Sequence, residues 1–176
     1  ELIKGKREWI DLHEEKTEAV VDLVEELNGQ PALIVYDFQH DLGRLQRALG
    51  KDFPHIGGGV TLSKGDKLVE AWNKGQLPGL LIHPASVAHG LNMQEGNAQH
   101  VIHHSITVDF ELYDQIIRRL LRSGNTSQNV FSHLIVAKDT VDEMKVMGLR
   151  RKKGNQDDLL DAMEAYTAAR KKRRNR

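Results

Sequence analysis

The chain has 176 residues, the size of one domain, and its 25 lysine and arginine residues balance its 25 aspartate and glutamate residues. Any attraction to nucleic acid must therefore come from a local patch of charge. The absence of cysteine excludes disulfides, zinc ribbons and thiol chemistry. No apolar run approaches the roughly 20 residues that span a bilayer, so we expect a cytoplasmic protein with no membrane partner. The chain starts without methionine, and we expect it to be part of something longer.

Helical and strand patterns alternate along the chain. In order, they predict a helix over 14–27, a strand over 32–36, a helix over 42–50, a helix over 63–75, a strand over 80–82, a strand over 100–103, a helix over 110–121, a strand over 130–136 and a helix over 157–170. The strand patterns are short, continuous apolar runs, typical of strands buried on both faces. Together they predict an α/β fold in which a parallel sheet is covered by helices on both faces.

Two local signals refine this outline. Ser63 followed three residues later by Asp66 is a capping pattern, and it predicts that a helix begins at Ser63. Residues 55–60 contain three consecutive glycines, which could form either a phosphate cradle or a turn beside a short strand. No Lys-Ser or Lys-Thr pair follows the glycines as it does in a P-loop, so we favour the turn.

The segment from Gln115 to Asn125 has the most distinctive charge pattern. It places Arg119 and Arg122 three residues apart on a predicted helix, where they share one face. A guanidinium stays charged and its planar fork matches phosphate oxygens, so both side chains could reach one triphosphate. The alternative is an arginine-rich helix face that only meets solvent, and these residues alone leave both interpretations open.

Ligands of open parallel sheets bind at the carboxyl ends of the strands. The strand at 80–82 is followed by His83-Pro-Ala-Ser-Val-Ala-His-Gly-Leu-Asn-Met-Gln94. Read together with Gln115 to Asn125, this string resembles the C-terminal RecA-like domain of superfamily-two helicases, specifically Swi/Snf-type DNA translocases and their phage relatives. In that resemblance, residues 83–94 correspond to motif V and residues 115–125 to motif VI.

Weaker similarities extend over about residues 12–160. They are the motif IV strand at 32–37, a Gly-x-x-Thr turn at 58–61, the pair Trp72-Asn73, which resembles the family's Phe-Asn pair, and the segment after motif VI at 139–143. The resemblance implies a lead-in at 1–11, a three-layer RecA-like domain at 12–148, a helical extension at 149–170 and a basic tail at 171–176. The chain departs from the family pattern at three positions, where Arg118 replaces glycine, Leu121 replaces histidine and Asn125 replaces glutamine.

The resemblance also implies roles for individual residues. Arg119 and Arg122 are the expected arginine fingers. The expected nucleotide contacts are Gln115, Gly90 and Asn92, and the expected contacts to the DNA backbone, without sequence specificity, are Ser86, His89, Arg118, Arg151 and Lys152. ATP and Mg²⁺ would be shared with an N-terminal RecA-like domain. The chain has no P-loop and no convincing Asp-Glu-x-His strand, so we expect it to be inactive as an ATPase by itself.

Two other classes of function compete with a motor domain. A metal site could use the histidines His83, His89, His100, His103 and His104, but neighbours on a strand point to opposite faces and no ligand spacing appears, so no metal is expected. A non-catalytic nucleic-acid-binding or interaction module, using the basic residues 150–153 and the tail, remains the alternative to the motor domain.

Overall fold

The computed structural model describes residues 14–87, 92, 93, 95, 98–121 and 129–150. Its helices are α1 (Glu15–Glu26), α2 (Gln39–Leu49), α3 (Leu62–Asn73), α4 (Pro84–Val87), α5 (Phe110–Leu120) and α6 (Val141–Arg150). Its strands are β1 (Ala32–Val35), β2 (His55–Ile56), β3 (Gly79–Ile82), β4 (His100–His103) and β5 (Phe131–Leu134). Within the described part of the chain, no helix is both long and apolar enough to cross a bilayer.

The strands form one five-stranded sheet in the order β2-β3-β1-β4-β5, and every pair is parallel. The central strand β1 is buried along its whole length, and Ala32 lies opposite both Gly79 and His100. A strand with neighbours on both sides and helices on both faces has no exposed position, which explains its uninterrupted apolar sequence. The predicted parallel α/β architecture is confirmed.

Two hydrophobic clusters cover the two faces of the sheet. Leu33 and Val35 point into one cluster, which also contains Trp72 of α3 and Ile116 of α5. The alternate positions of β1 point into the other cluster, which contains residues of α1 and α2 such as Val20 and Leu45. Side chains alternate across a strand, so the four apolar residues of β1 serve both clusters and create three layers.

The helices of the structure differ from the predicted ones at two places. α3 begins at Leu62 with Thr61 as its N-cap, one residue earlier than the Ser63 capping pattern predicted, because the Gly65 amide already bonds the Thr61 carbonyl at 2.9 Å. α6 was not predicted at all. The buried residues of α6 do not form one continuous apolar face; they are Asp142, Met144 and Val146. Asp142 is buried where its carboxylate forms an ion pair of 2.7 Å with Lys16 of α1.

Candidate functional site

The carboxyl ends of β1 and β3 are joined by a histidine. His83 Nε2 lies 3.1 Å from the carbonyl oxygen of Asp37, and His83 Nδ1 lies 3.2 Å from the amide of Ala85, which donates to it. Because Nδ1 accepts a hydrogen bond, the ring proton resides on Nε2 and is donated to Asp37. His83 thereby fixes the start of α4 against the segment that follows β1.

A cleft of about 520 Å³ opens at this edge of the sheet. Its walls are formed by Gln39, the residues 56–62, Gly65, Asp66, His83, Ala85 and Ser86. The side chains offer two hydroxyls, one amide, one carboxylate and the His83 imidazole, and no lysine or arginine of the described residues lines the cleft. Any positive potential inside it must therefore come from backbone groups.

Thr61 and the first turn of α3 supply such groups. Thr61 occupies the N-cap position with extended backbone angles, yet its side chain makes no capping hydrogen bond, and the first turn of α3 contains no acidic residue. The first N–H groups of a helix lack intrahelical partners and lie at the positive end of the helix dipole. The Thr61 hydroxyl and these amides can thus bind an anionic group.

Gly57 allows the segments at the base of the cleft to pack closely against one another. Its φ is +140°, and a Cβ at this position would lie 2.7 Å from Tyr36 Oη and 3.2 Å from Ser86 Oγ. The Tyr36 ring is buried, its hydroxyl has no hydrogen-bond partner among the described residues, and burial raises its pKa to about 12. Only glycine permits this approach of β2 to the segments after β1 and β3.

The end of α3 contacts residues of the segment predicted to be motif V. The indole Nε1 of Trp72 donates to the Met93 carbonyl at 3.1 Å, and the Asn73 side-chain amide donates to the Asn92 carbonyl at 2.8 Å. Trp72 and Met93 are both buried. The Trp-Asn pair therefore fixes the backbone of residues 92 and 93, a role that the sequence did not indicate.

Helix α5 carries the predicted motif VI residues. The Asp109 side chain caps it by accepting hydrogen bonds of 2.9 and 3.2 Å from the amides of Glu111 and Leu112. Gln115 and Arg119 are half-buried on α5, and Arg119 lies in its last turn. Arg118 is exposed and forms an ion pair with Asp114 one turn earlier, and its predicted contact to the DNA backbone stays a prediction.

The structure places the other predicted residues as follows. Ser86 lines the cleft from the one-turn helix α4, because Pro84 starts a helix directly after β3. Asn92 is exposed, and α4 packs against α5. His89, Gly90, Arg122, Arg151 and Lys152 lie outside the described residues. Their predicted roles stay predictions.

The sequence missed several residues of the cleft. Gln39 and the packing of Tyr36 against Gly57 had no signal in the spacing of residues, and Asp66 was marked only as part of a capping pattern. The similarity to a Gly-x-x-Thr turn did mark Thr61 and its neighbours. That similarity was the available clue, and it assigned no function to the turn.

The histidines do not form a metal centre in the described part of the chain, where no group of three or more potential ligands occurs. His100 and His133 lie 3.0 Å apart, from Nδ1 to Nε2, and the second nitrogen of His100 lies 2.9 Å from Gln30 Oε1. His103 is fully buried, stacks near Tyr113 at 5.0 Å between ring centroids, and neither of its ring nitrogens has a described partner.

The lowered pKa of His103 predicts that the domain loses stability in mild acid. Burial, with a smaller contribution from His133, lowers the pKa of His103 from 6.5 to about 4. Because the unfolded state takes up the proton first, His103 lowers the free energy of unfolding as the pH falls below 6.5, by about 2 kcal/mol at pH 5. We expect His103→Leu and His103→Phe to reduce the loss of stability between pH 7.5 and pH 5, measured by urea unfolding. Unchanged pH dependence in both variants would contradict this assignment.

A parallel sheet with helices on both faces and a cleft at its carboxyl edge is the architecture of doubly wound α/β domains, the class to which RecA-like domains belong. The profile of the helicase conserved C-terminal domain matches residues 15–124, and the chain belongs to this family. Protein p41 of Acyrthosiphon pisum secondary endosymbiont phage 1 is 39% identical over 162 residues, which cover 90% of this chain and 34% of p41. The chain thus spans about a third of the length of that relative.

Two solved structures share the fold. The C-terminal part of the Fun30 ATPase domain superposes with a TM-score of 0.66 and 18% identity, over 76% of this chain and 44% of that one. The E. coli DEAD-box protein SrmB, solved bound to regulator of ribonuclease activity A, superposes with a TM-score of 0.64 and 17% identity, over 80% of this chain and 79% of that one. The predicted RecA-like fold of a helicase C-terminal domain is confirmed.

Proposed function

We propose that the chain is the second motor domain of an ATP-dependent DNA translocase of the Swi/Snf type. In this proposal it grips the DNA backbone without reading sequence and completes an ATP site held mainly by an N-terminal RecA-like domain. Membership of the helicase C-terminal family supports a place in an ATP-dependent motor. The finer assignment to DNA translocation rests on the motif pattern and on the cleft.

The cleft carries the proposal. It combines the uncapped start of α3, the Thr61 and Ser86 hydroxyls and the glycine turn after β2. Hydroxyls, backbone amides and helix N-termini bind phosphate oxygens and carry no sequence information directly. A site built from such groups suits a motor that moves along any sequence.

The ATP site would lie on the side of α5. Arg119 and Arg122 are the proposed fingers, and Gln115, Gly90 and Asn92 the proposed nucleotide contacts. Mg²⁺ and the phosphates would be held by the P-loop of the partner domain, so the residues of this chain contribute positive charge and orientation. The chain by itself is then inactive, and robust magnesium-dependent ATP hydrolysis by the purified 176-residue chain would refute this arrangement.

The DNA part is tested by removing both hydroxyls. The double variant Thr61→Val with Ser86→Ala is expected to bind a fluorescent 30-base-pair duplex about 100-fold more weakly, because each lost hydrogen bond to a charged phosphate costs about 1.5 kcal/mol. Fluorescence anisotropy over a series of salt concentrations measures this. The salt dependence should stay the same, since no charged side chain is removed.

The matched control is Ser63→Ala. Ser63 is an exposed hydroxyl on the first turn of α3 that does not line the cleft, and its removal should leave affinity unchanged. If the double variant bound DNA like the unaltered chain, the cleft would not be the DNA site. The alternative of a non-catalytic module that binds through its basic tail would then gain support.

A further inference from the structure

A second cavity, of about 330 Å³, lies at the β2 edge of the sheet. We call it the basic pocket, and its walls include Gln46, Lys51, His55, Lys64 and Leu68. No carboxylate from the described residues lines it. Neither lysine forms an ion pair with any residue that the structure describes, so both ammonium groups are available to a ligand.

The basic pocket and the cleft are immediate neighbours. His55 of β2 lines the basic pocket, and the next residue, Ile56, lines the cleft. On α3, Lys64 lines the basic pocket and Gly65 lines the cleft. Adjacent Cα atoms are about 3.8 Å apart, so β2 and the first turn of α3 contribute neighbouring residues to the walls of both cavities.

His55 fixes the wall between the two cavities. Its Nδ1 lies 3.1 Å from the Gln46 side-chain nitrogen. Burial and the nearby Lys64 charge lower the His55 pKa, and a hydrogen bond to the Gly58 backbone opposes this shift. The His55 ring is thus hydrogen-bonded to Gln46 of α2 and to the backbone of Gly58 in the glycine turn. His55 is a positioning residue and leaves ligand contact to the two lysines.

The walls of the two cavities offer different kinds of contact to an anion. The cleft has hydroxyls and backbone amides but no lysine or arginine among its described wall residues, and it contains the Asp66 carboxylate. The basic pocket has two lysines and no carboxylate. The basic pocket would therefore offer a polyanion lying in the cleft two cationic groups that the described walls of the cleft lack.

We propose that the basic pocket binds a phosphate of the same DNA backbone that crosses the cleft, with Lys51 and Lys64 as its cationic contacts. This extension rests on the proposed function. It adds two charged contacts outside the motif segments at 83–94 and 115–125, on the opposite edge of the sheet from β5.

The salt dependence of DNA binding tests this proposal. For duplex DNA, each neutralised phosphate contributes about 0.9 to the slope of the logarithm of affinity against the logarithm of salt concentration. The variant Lys51→Ala with Lys64→Ala of the full chain should lower that slope by about 0.9 and weaken binding roughly 8-fold at 0.1 M salt, because the one phosphate held in the basic pocket is lost. The variant Lys51→Arg with Lys64→Arg should keep the original slope, because it preserves both charges.

The control variant is Lys67→Ala with Lys138→Ala, which removes two exposed lysines that line neither cavity. Its slope should stay close to that of the unaltered chain. An equal loss of slope in both alanine pairs would show diffuse attraction and overturn the proposal. An unchanged slope in the Lys51 and Lys64 variant, with the Thr61 and Ser86 effect intact, would overturn this proposal alone. Absence of DNA binding by the unaltered chain would overturn the proposed function as well.

Discussion

Replacing Arg119 and Arg122 by alanine in the proposed two-domain motor is expected to lower ATP turnover by about 10³-fold or more, because arginine fingers stabilise the charge that develops on the transferred phosphoryl group. Arg119 lies in the last turn of α5, and the helix is capped at its other end by Asp109. DNA affinity should stay largely intact. The measurement is DNA-stimulated, magnesium-dependent phosphate release at saturating ATP, with DNA binding followed in parallel by anisotropy.

Arg47→Ala provides the control for this experiment. Arg47 is an exposed arginine in the last turn of α2, and it lines neither cavity. Its removal takes away one guanidinium from a helix end and should leave turnover unchanged. If the Arg119 and Arg122 double variant kept the turnover of the unaltered motor, the finger assignment would be wrong. Equal losses of turnover and DNA affinity would instead indicate that α5 contacts DNA.

Gly57→Ala is expected to destabilise the domain by about 3 kcal/mol. Strain from a φ of +140° in a residue with a Cβ costs about 1–3 kcal/mol, and the new methyl group would also meet Tyr36 Oη at 2.7 Å. The buried Tyr36 ring has no room to move aside without disturbing the core beneath it. Urea unfolding followed by circular dichroism measures the change in the free energy of unfolding.

A second substitution separates strain from collision. Tyr36→Phe removes a buried hydroxyl that has no described partner, so alone it should be neutral or slightly stabilising. Combined with Gly57→Ala, it should recover the part of the loss that comes from the close contact, while the backbone strain remains. Full additivity of the two changes would argue against a direct contact between the two positions.

Gly65→Ala is the matched control for the glycine experiment. Gly65 lines the same cleft from α3, its backbone is helical, and a Cβ there would meet no atom within 4 Å. Alanine is favoured over glycine inside a helix by roughly 0.5–1 kcal/mol, so this variant should be more stable than the unaltered chain. A loss of stability in Gly65→Ala would show that the cleft tolerates no added side chain at either position.

The sequence predicted the secondary structure of the sheet well because the strands carry their own signal. Residues 32–36 and 80–82 are continuous apolar runs, and they became the buried strands β1 and β3. The prediction failed where a tertiary contact decides the local structure. The burial of Asp142 in α6 depends on Lys16, which is distant in sequence, so no spacing of neighbouring residues could indicate it.

The residues of the candidate site also divide into those that motifs marked and those that only the folded chain revealed. Thr61, Ser86 and Arg119 could be marked from motifs, because a motif preserves residue types at fixed spacing. The hydrogen bonds of Trp72 and Asn73 to the segment at 92 and 93 join residues about one helix and one strand apart, and their spacing has no regular period. Such contacts become visible only when the chain is folded.

The sequence by itself determined the class of fold and the segments that would reach the carboxyl edge, because apolar periodicity and short connections restrict a chain of this kind to a parallel sheet between helices. The tertiary structure decided what that edge can bind. It brought Gly57 close to the Tyr36 hydroxyl and left the start of α3 without a capping hydrogen bond from Thr61. It also set Lys51 and Lys64 in the pocket beside the cleft. Distances between side chains on different elements depend on packing, and local sequence carries no information about them.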